Sequence, residues 1–257
     1  MVFRNFLLFF ICIYNTVKLG LYKSFFRKIV SQLSRDNLSV KAKQFYLNNS
    51  KDTKQTLINI GFEYFEFIIQ PDDDSNKTSL KVSRTKMGGM TATSFVYSCV
   101  YNLKPTYSLE CGVSKGGSSF SILSALDKIN HGHLFSSDLP YLWKYNPIAN
   151  IGSLVPDSLR HRWSLLLGDD RDTIPKLLTS HDHKYSFVHY DSDKRYMSRK
   201  IFWENISPVL SANHFIIFDD IMDNDHFYHL QLNYDPVNVH VLKYENNYLG
   251  IISKISQ

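Results

Sequence analysis

Tyr107-Ser108-Leu109-Glu110-Cys111-Gly112-Val113-Ser114-Lys115-Gly116-Gly117-Ser118 is the stretch on which the reading of this chain turns. A short strand, Tyr107 to Leu109, runs into a glycine-rich turn, and a helical pattern follows from Ser119 to Ile129. Glycine lets such a turn bend tightly and approach a ligand. Two well-known glycine loops fail here. A dinucleotide fingerprint needs glycine where Ser114 stands, and a phosphate-binding P-loop needs lysine where Ser118 stands. Glu110 at the strand end would repel a pyrophosphate but suits a cationic ligand or a ribose hydroxyl. A purely structural turn remains the alternative on this motif alone.

Outward from the turn the pattern is regular. Strands are predicted at His133–Ser136, Trp163–Leu167, Tyr185–Tyr190 and His214–Phe218, with helices at Met90–Asn102, Pro156–Arg162, Thr173–Leu178 and Ser198–Leu210. Two closing strands, Val237–Lys243 and Tyr248–Ser253, flank the turn Glu245-Asn246-Asn247. Strands alternating with helices predict an α/β fold, a doubly wound, mostly parallel sheet with a reversed edge strand at its end. Ligands bind such sheets beyond the carboxyl ends of the strands.

Those ends are rich in acids. The second strand leads to Asp138, where a carboxylate can accept ribose hydroxyls, a simple helix-capping or loop role being the alternative. The third leads to Gly168-Asp169-Asp170-Arg171-Asp172, where Asp172 is the preferred helix cap and another acid is free for an adenine amine. The fourth leads to Asp191-Ser192-Asp193-Lys194 and the fifth to Asp219-Asp220. Carboxylates meeting at adjacent strand ends repel one another and call for a cation or protonation. An all-oxygen set favours a hard ion such as magnesium. Lys194, desolvated beside cationic charge, could lose its proton and serve as a base. A surface ion pair between Asp191 and Lys194 is the plainer alternative. His189 and His214 are left without a role.

These motifs, in this order, resemble the class I S-adenosylmethionine-dependent methyltransferases. They look most like the metal-dependent O-methyltransferases of the catechol and caffeoyl-CoA type and a related glycan- and antibiotic-tailoring group. The resemblance covers roughly residues 85–255 and implies a seven-stranded, Rossmann-like methyltransferase sheet. It implies that Glu110, Gly112, Gly116 and Ser118 hold the amino-acid and ribose portion of S-adenosylmethionine, with Asp138 on the ribose and Asp170 near the adenine. It further implies a divalent metal, magnesium by preference, on Asp191, Asp219 and Asp220, with Asp191 and Lys194 as catalytic groups and Lys194 as general base. The tailoring group often carries histidine at the position of Lys194. The implied reaction is O-methylation of a hydroxyl on a small molecule or glycan. The alternative is a catalytically inactive methyltransferase-like scaffold in a membrane-associated assembly.

The rest of the 257-residue chain is read from charge and hydropathy. Of its hydrophobic fraction, 44%, enough is available for one large core, which excludes disorder and low-complexity classes. Cys12, Cys99 and Cys111 are odd in number and far apart, so neither a disulfide framework nor a zinc site is expected, and the expected location is cytoplasmic. Net charge is +5, yet residues 1–60 hold ten basic residues against two acids, leaving −3 for the remainder. The basic segment begins with an apolar run, Phe6 to Tyr14, too short to span a bilayer and followed by no cleavage motif. Leu7, Phe10, Tyr14, Val17, Leu21, Phe25, Ile29 and Leu33 recur at helical spacing. This arm, residues 1–36, docks on the protein's own body, on a second copy in a homodimer, or on a membrane surface through residues 1–35. No nucleic-acid partner is expected, because no binding motif accompanies the basic charge. Residues 37–84 read as a helical and aromatic cap ending in the linker Pro71–Asn76, and 85–257 as the cofactor-binding domain. Acceptor specificity is expected in 37–90, in Tyr141–Ile151 and in Ile221–Tyr234.

Overall fold

The computed structural model describes residues 2–33, 36–69 and 92–255. The predicted linker Pro71–Asn76 and the segment Lys86–Met90 lie outside the described residues.

The amino-terminal arm forms α1 (Val2–Lys18) and α2 (Tyr22–Leu33). Helix α3 (Val40–Asn49) starts at Ser39, whose side chain accepts the Ala42 N–H, and leads into a two-residue strand, β1 (Ser50–Lys51). Helix α4 (Thr53–Asn59) is capped in the same way by Asp52. Residues 62–69 then run beside α5 (Thr93–Leu103). There Ser94, Ser98 and Asn102, one helical turn apart, bond the backbone of Phe67, Phe65 and Glu63. This helix face satisfies a segment that belongs to no sheet.

The alternating core follows as β2 (Tyr107–Cys111), α6 (Gly117–Lys128), β3 (His133–Asp138), β4 (Trp163–Leu167), α7 (Asp170–Ser180), β5 (Tyr185–Tyr190), α8 (Tyr196–Ile206) and β6 (Leu210–Phe218). A short α9 (His226–Gln231) precedes the hairpin β7 (Val239–Tyr244) and β8 (Asn247–Lys254). The sheet order is β1-β7-β8-β6-β5-β2-β3-β4. All pairs are parallel except those made by β8, which runs antiparallel to both β6 and β7. The fold class is as predicted, with two differences: the sheet has eight strands rather than seven, the two-residue β1 pairing with β7 at the edge, and the reversed strand is placed differently. The reversed strand is not at the edge but lies between β6 and β7, because the hairpin folds its second strand inward onto β6.

Apolar layers cover both faces. On one, Phe95, Val96, Ile122, Leu123 and Leu126 from α5 and α6 pack on Leu134, Phe187, Phe215 and Ile217. On the other, Ile174, Leu177, Phe202, Ile206 and Phe227 pack on Leu109, Val188, Tyr190 and Ile216. Burial on both faces explains why the central strands read as near-continuous apolar runs. The chain builds outward from β2 to β4 on one side and from β5 onward to the other. The switch point therefore falls between β2 and β5.

Candidate active site

The switch point is held closed by backbone. The Asp191 N–H donates to the Cys111 carbonyl at 2.7 Å, and the Gly112 N–H donates to Ser137 at 2.8 Å. Gly112 has φ +91°, and a Cβ placed there would lie 2.3 Å from the Asp191 carbonyl oxygen. Only glycine allows β2 and β5 to end this close together.

Above this junction lies a cavity of about 330 Å³, within the size range of small-molecule sites. Its wall includes Gly112, Ser114, Asp138, Asp170, Asp191 and Tyr141. Ser24 of α2 also reaches it, so the arm forms part of the enclosure. Tyr141 donates its hydroxyl to Ser114 Oγ at 2.8 Å, tying the 139–152 loop to the turn after β2.

The acids on this wall differ in how they are compensated. Asp169 is clamped by Arg171 through Nε at 2.9 Å and Nη2 at 2.7 Å, and Arg27 of α2 stands 3.6 Å away. Burial opposes its charge, but Arg171 outweighs burial and its pKa falls below the usual carboxylate value. Asp193 is held down likewise by Arg195 and Ser198 against the effect of burial. Asp138 and Asp170 have no such cation. Asp138 accepts the Ser114 N–H at 2.7 Å, yet burial, with Glu110 adding to it, pushes its pKa up to about 6. Asp170 is pushed up to about 7 by burial and by Asp169 beside it, and its Oδ2 is buried without a hydrogen-bond partner. Two carboxyl groups without a balancing cation thus stand on the cavity wall, and one of them, Asp170, has an oxygen wanting a donor.

A second cluster adjoins the first. Carboxylate oxygens of Asp191, Asp219 and Asp220 lie within 4.8 Å of one another, and Asp191 belongs to both the cluster and the cavity wall. Asp219 is pushed up to about 7 by burial and by the charge of Asp191. Lys194 reaches in, bonded to Asp191 and 3.2 Å from Asp220 Oδ2. Burial works against its ammonium, but Asp191, Asp219 and Asp220 together raise its pKa above the lysine value. The lowered pKa anticipated for Lys194 is therefore not what its surroundings produce. Its neighbours are carboxylates rather than cations.

The structure separates the remaining predicted residues. Glu110 does not line the cavity. It is fully buried and accepts hydrogen bonds from Ser118 and Ser119 at 2.6 Å and from Ser136 at 2.8 Å. The first turn of α6 packs back over β2 and carries the Ser118 and Ser119 hydroxyls to the carboxylate, drawing Ser118 away from the cavity too, while Ser136 reaches it from the neighbouring β3. Gly116 is also structural: at φ +95° it starts α6 against Gly152 and Val155. The cap of α7 is Asp169 rather than Asp172, since Asp169 accepts the Arg171 N–H while Asp172 pairs with Arg27 at 2.8 Å.

Arg199 was not anticipated. It is fully buried on α8, and one guanidinium nitrogen donates to the carbonyls of Asp219 at 2.7 Å and Asp220 at 2.9 Å. Asp220 has φ +49°, in the left-handed region, so Arg199 braces a turn that other backbone does not favour. Arg199 with Phe202 and Ile206 at steps of three and four is the available signal: an arginine on the buried face of a helix needs a partner.

Residues 109–221 match a family model described as a methyltransferase domain. That span runs from the middle of β2 through the acidic turn after β6. Among solved structures it is similar to an O-methyltransferase from Bacillus cereus in complex with SAH, at 16% identity and TM-score 0.54, covering 73% of this chain and 94% of that one. It is similar also to the O-methyltransferase TomG from Streptomyces achromogenes, involved in tomaymycin synthesis and in complex with SAM, at 12% identity and TM-score 0.55, covering 73% and 92%. The fold is thus that of the S-adenosylmethionine-dependent O-methyltransferases, as the motif order implied. No curated protein matches the chain by sequence.

Proposed function

We propose that the protein transfers a methyl group from S-adenosylmethionine to a hydroxyl oxygen of a small molecule or glycan, assisted by a divalent metal. One observation carries this reading: Asp191 belongs at once to the cavity that begins at the Gly112 turn and to the three-carboxylate cluster. A methyl donor in the cavity and an acceptor oxygen at the cluster would then be neighbours.

The residues suit the donor. Asp138 would accept the ribose hydroxyls, and the unpartnered Oδ2 of Asp170 would accept the adenine amine. Glu110 and Ser118 act from beneath, by fixing the turn rather than by touching the ligand. The cluster also suits a hard cation. It offers only oxygen donors, and a positive group, the Lys194 ammonium, already lies against Asp191 and Asp220. Asp191, Asp219 and Asp220 would hold the metal, which supplies a lowered pKa to a bound hydroxyl. With the carboxylates engaged elsewhere, Lys194 would lose the neighbours that keep it protonated and become available to take the acceptor proton. The cavity walls would have to hold the acceptor oxygen and methyl carbon in line, since alignment of this kind can supply much of the acceleration.

The test is calorimetry with S-adenosylhomocysteine, followed by transfer of a labelled methyl group to extracted metabolites with and without chelator. Binding and chelator-sensitive transfer are expected. Absence of binding at millimolar ligand would point to a non-catalytic scaffold. Binding with chelator-resistant transfer would remove the metal.

A further inference from the structure

Helices α1 and α2 bury one face and leave the other uncovered. On the covered side Asn15, 2% exposed, donates Nδ2 to the carbonyls of Leu142 and Lys144 at 2.8 Å, and Arg27 pairs with Asp172. Thr16 and Ser24 are buried on the same side. The arm is therefore docked on its own body, yet its outer face is apolar. Phe9, Ile13, Tyr14 and Val17 of α1 and Tyr22 and Phe26 of α2 are exposed, Tyr14 at 63% and Phe26 at 65%. Positions 9, 13 and 17 fall four residues apart, which sets them on one stripe. A contiguous stripe of this kind marks an interaction surface, unlike apolar residues scattered singly.

Charge identifies what covers it. Residues 2–33 contain Arg4, Lys18, Lys23, Arg27 and Lys28 and no acid. A second copy placed on the same face would bring like charges together with no carboxylate in either helix to pair them. An anionic bilayer satisfies both features, taking the aromatic rings at the acyl boundary and the lysines at the headgroups. Among the described residues no helix is long and apolar enough to cross a membrane, which leaves a seat in the interface. Lys18 Nζ stands over the Tyr14 ring, 5.8 Å from its centroid, so a cation lies beside the exposed aromatic stripe.

We propose that α1 and α2 lie on an anionic lipid surface, with the aromatic stripe inserted and Lys18 and Lys23 at the headgroups. Because α2 also supplies Ser24 to the cavity wall, the enclosure of the site is then attached to the membrane.

The experiment is flotation of the full chain with phosphatidylcholine vesicles and with vesicles containing phosphatidylglycerol. Flotation is expected only with phosphatidylglycerol and should weaken as salt is raised. The exposed-residue variant Phe9→Ser/Tyr14→Ser/Phe26→Ser should no longer float. Lys18→Gln/Lys23→Gln should partition less by on the order of tenfold or more. Both variants should keep the parent's thermal midpoint and far-ultraviolet spectrum, since these side chains are exposed. A folded parent that stays in the dense fraction with phosphatidylglycerol, or that floats equally on neutral vesicles, overturns the proposal. So does a dimer in sedimentation that the aromatic substitutions dissolve, which would give the face to a second copy.

Discussion

Gly112→Ala is the sharpest test of the junction on which the site is built. At φ +91° a side chain costs about 1–2 kcal/mol before any contact is considered. The added Cβ would also meet Asp191 O at 2.3 Å, Asp191 C at 2.6 Å and Ser192 N at 3.0 Å, all backbone atoms that no rotamer change can move. Relief requires β2 and β5 to part, at the expense of the 2.7 Å bond from Asp191 N–H to Cys111. Overpacking of this sort typically costs about 1–3 kcal/mol. The combined loss is about 2–5 kcal/mol, which for a chain of this size lowers the thermal midpoint by about 5–15 °C. Gly61→Ala is the control. Gly61 has φ +75° but nothing within 4 Å of an added Cβ, so it carries the backbone cost alone. Differential scanning fluorimetry compares the two, and calorimetry with S-adenosylhomocysteine reports whether the cavity floor survives. The reasoning fails if Gly112→Ala unfolds no earlier than Gly61→Ala and binds the ligand as tightly as the parent.

Other substitutions probe separate features. Asp138 has a raised folded pKa, so the native state binds its proton more tightly than the unfolded chain, and this group's contribution to stability declines as pH rises from about 4 to about 6. Asp138→Asn should remove that decline from a series of thermal midpoints, and should also abolish the gain in S-adenosylhomocysteine affinity expected as the carboxylate ionises near pH 6. Arg199→Met should destabilise by about 1–3 kcal/mol in urea titrations, because the Asp219 and Asp220 carbonyls lose their buried donor while the unpartnered Nε and Nη1 of the guanidinium no longer have to be buried. Asp219→Ala with Asp220→Ala should eliminate methyl transfer while leaving S-adenosylhomocysteine binding within a few-fold; full activity in that variant would dismiss the metal cluster. Asn15→Leu should free the arm, read as faster hydrogen exchange in residues 8–27, since both of its bonds to the 142–144 backbone are lost.

The alternation of strand and helix was legible because the central strands are apolar on both faces and the turns between elements are rich in glycine and aspartate. Asp138, Asp170 and Asp191 could be placed near the cavity for a related reason: an acid at the end of an apolar strand, or within the short turn that follows it, sits at the carboxyl edge of the sheet, where ligands bind. The direction of Glu110 was not. Whether a strand-end side chain looks into the cavity or under it depends on the pleat and on which helix folds back over it, and three serines brought from α6 and β3 decide the matter. The choice of cap in Asp169-Asp170-Arg171-Asp172 was equally out of reach. Each acid has the right chemistry, and a residue 145 positions away, Arg27, takes one of them. The inward position of β8 follows from the hairpin docking on β6, a long-range contact that no local pattern encodes.

That arrangement has a bearing on how the molecule folds. In the chain β7 precedes β8, yet it reaches β6 only through β8. Until β8 has docked, the sheet ends at β6, with an open edge that includes Phe215, Ile216 and Ile217. Such an edge is a ready template for another chain. A chain refolding from denaturant passes through the same open-edged stage, so its yield of folded protein should fall as protein concentration during refolding is raised.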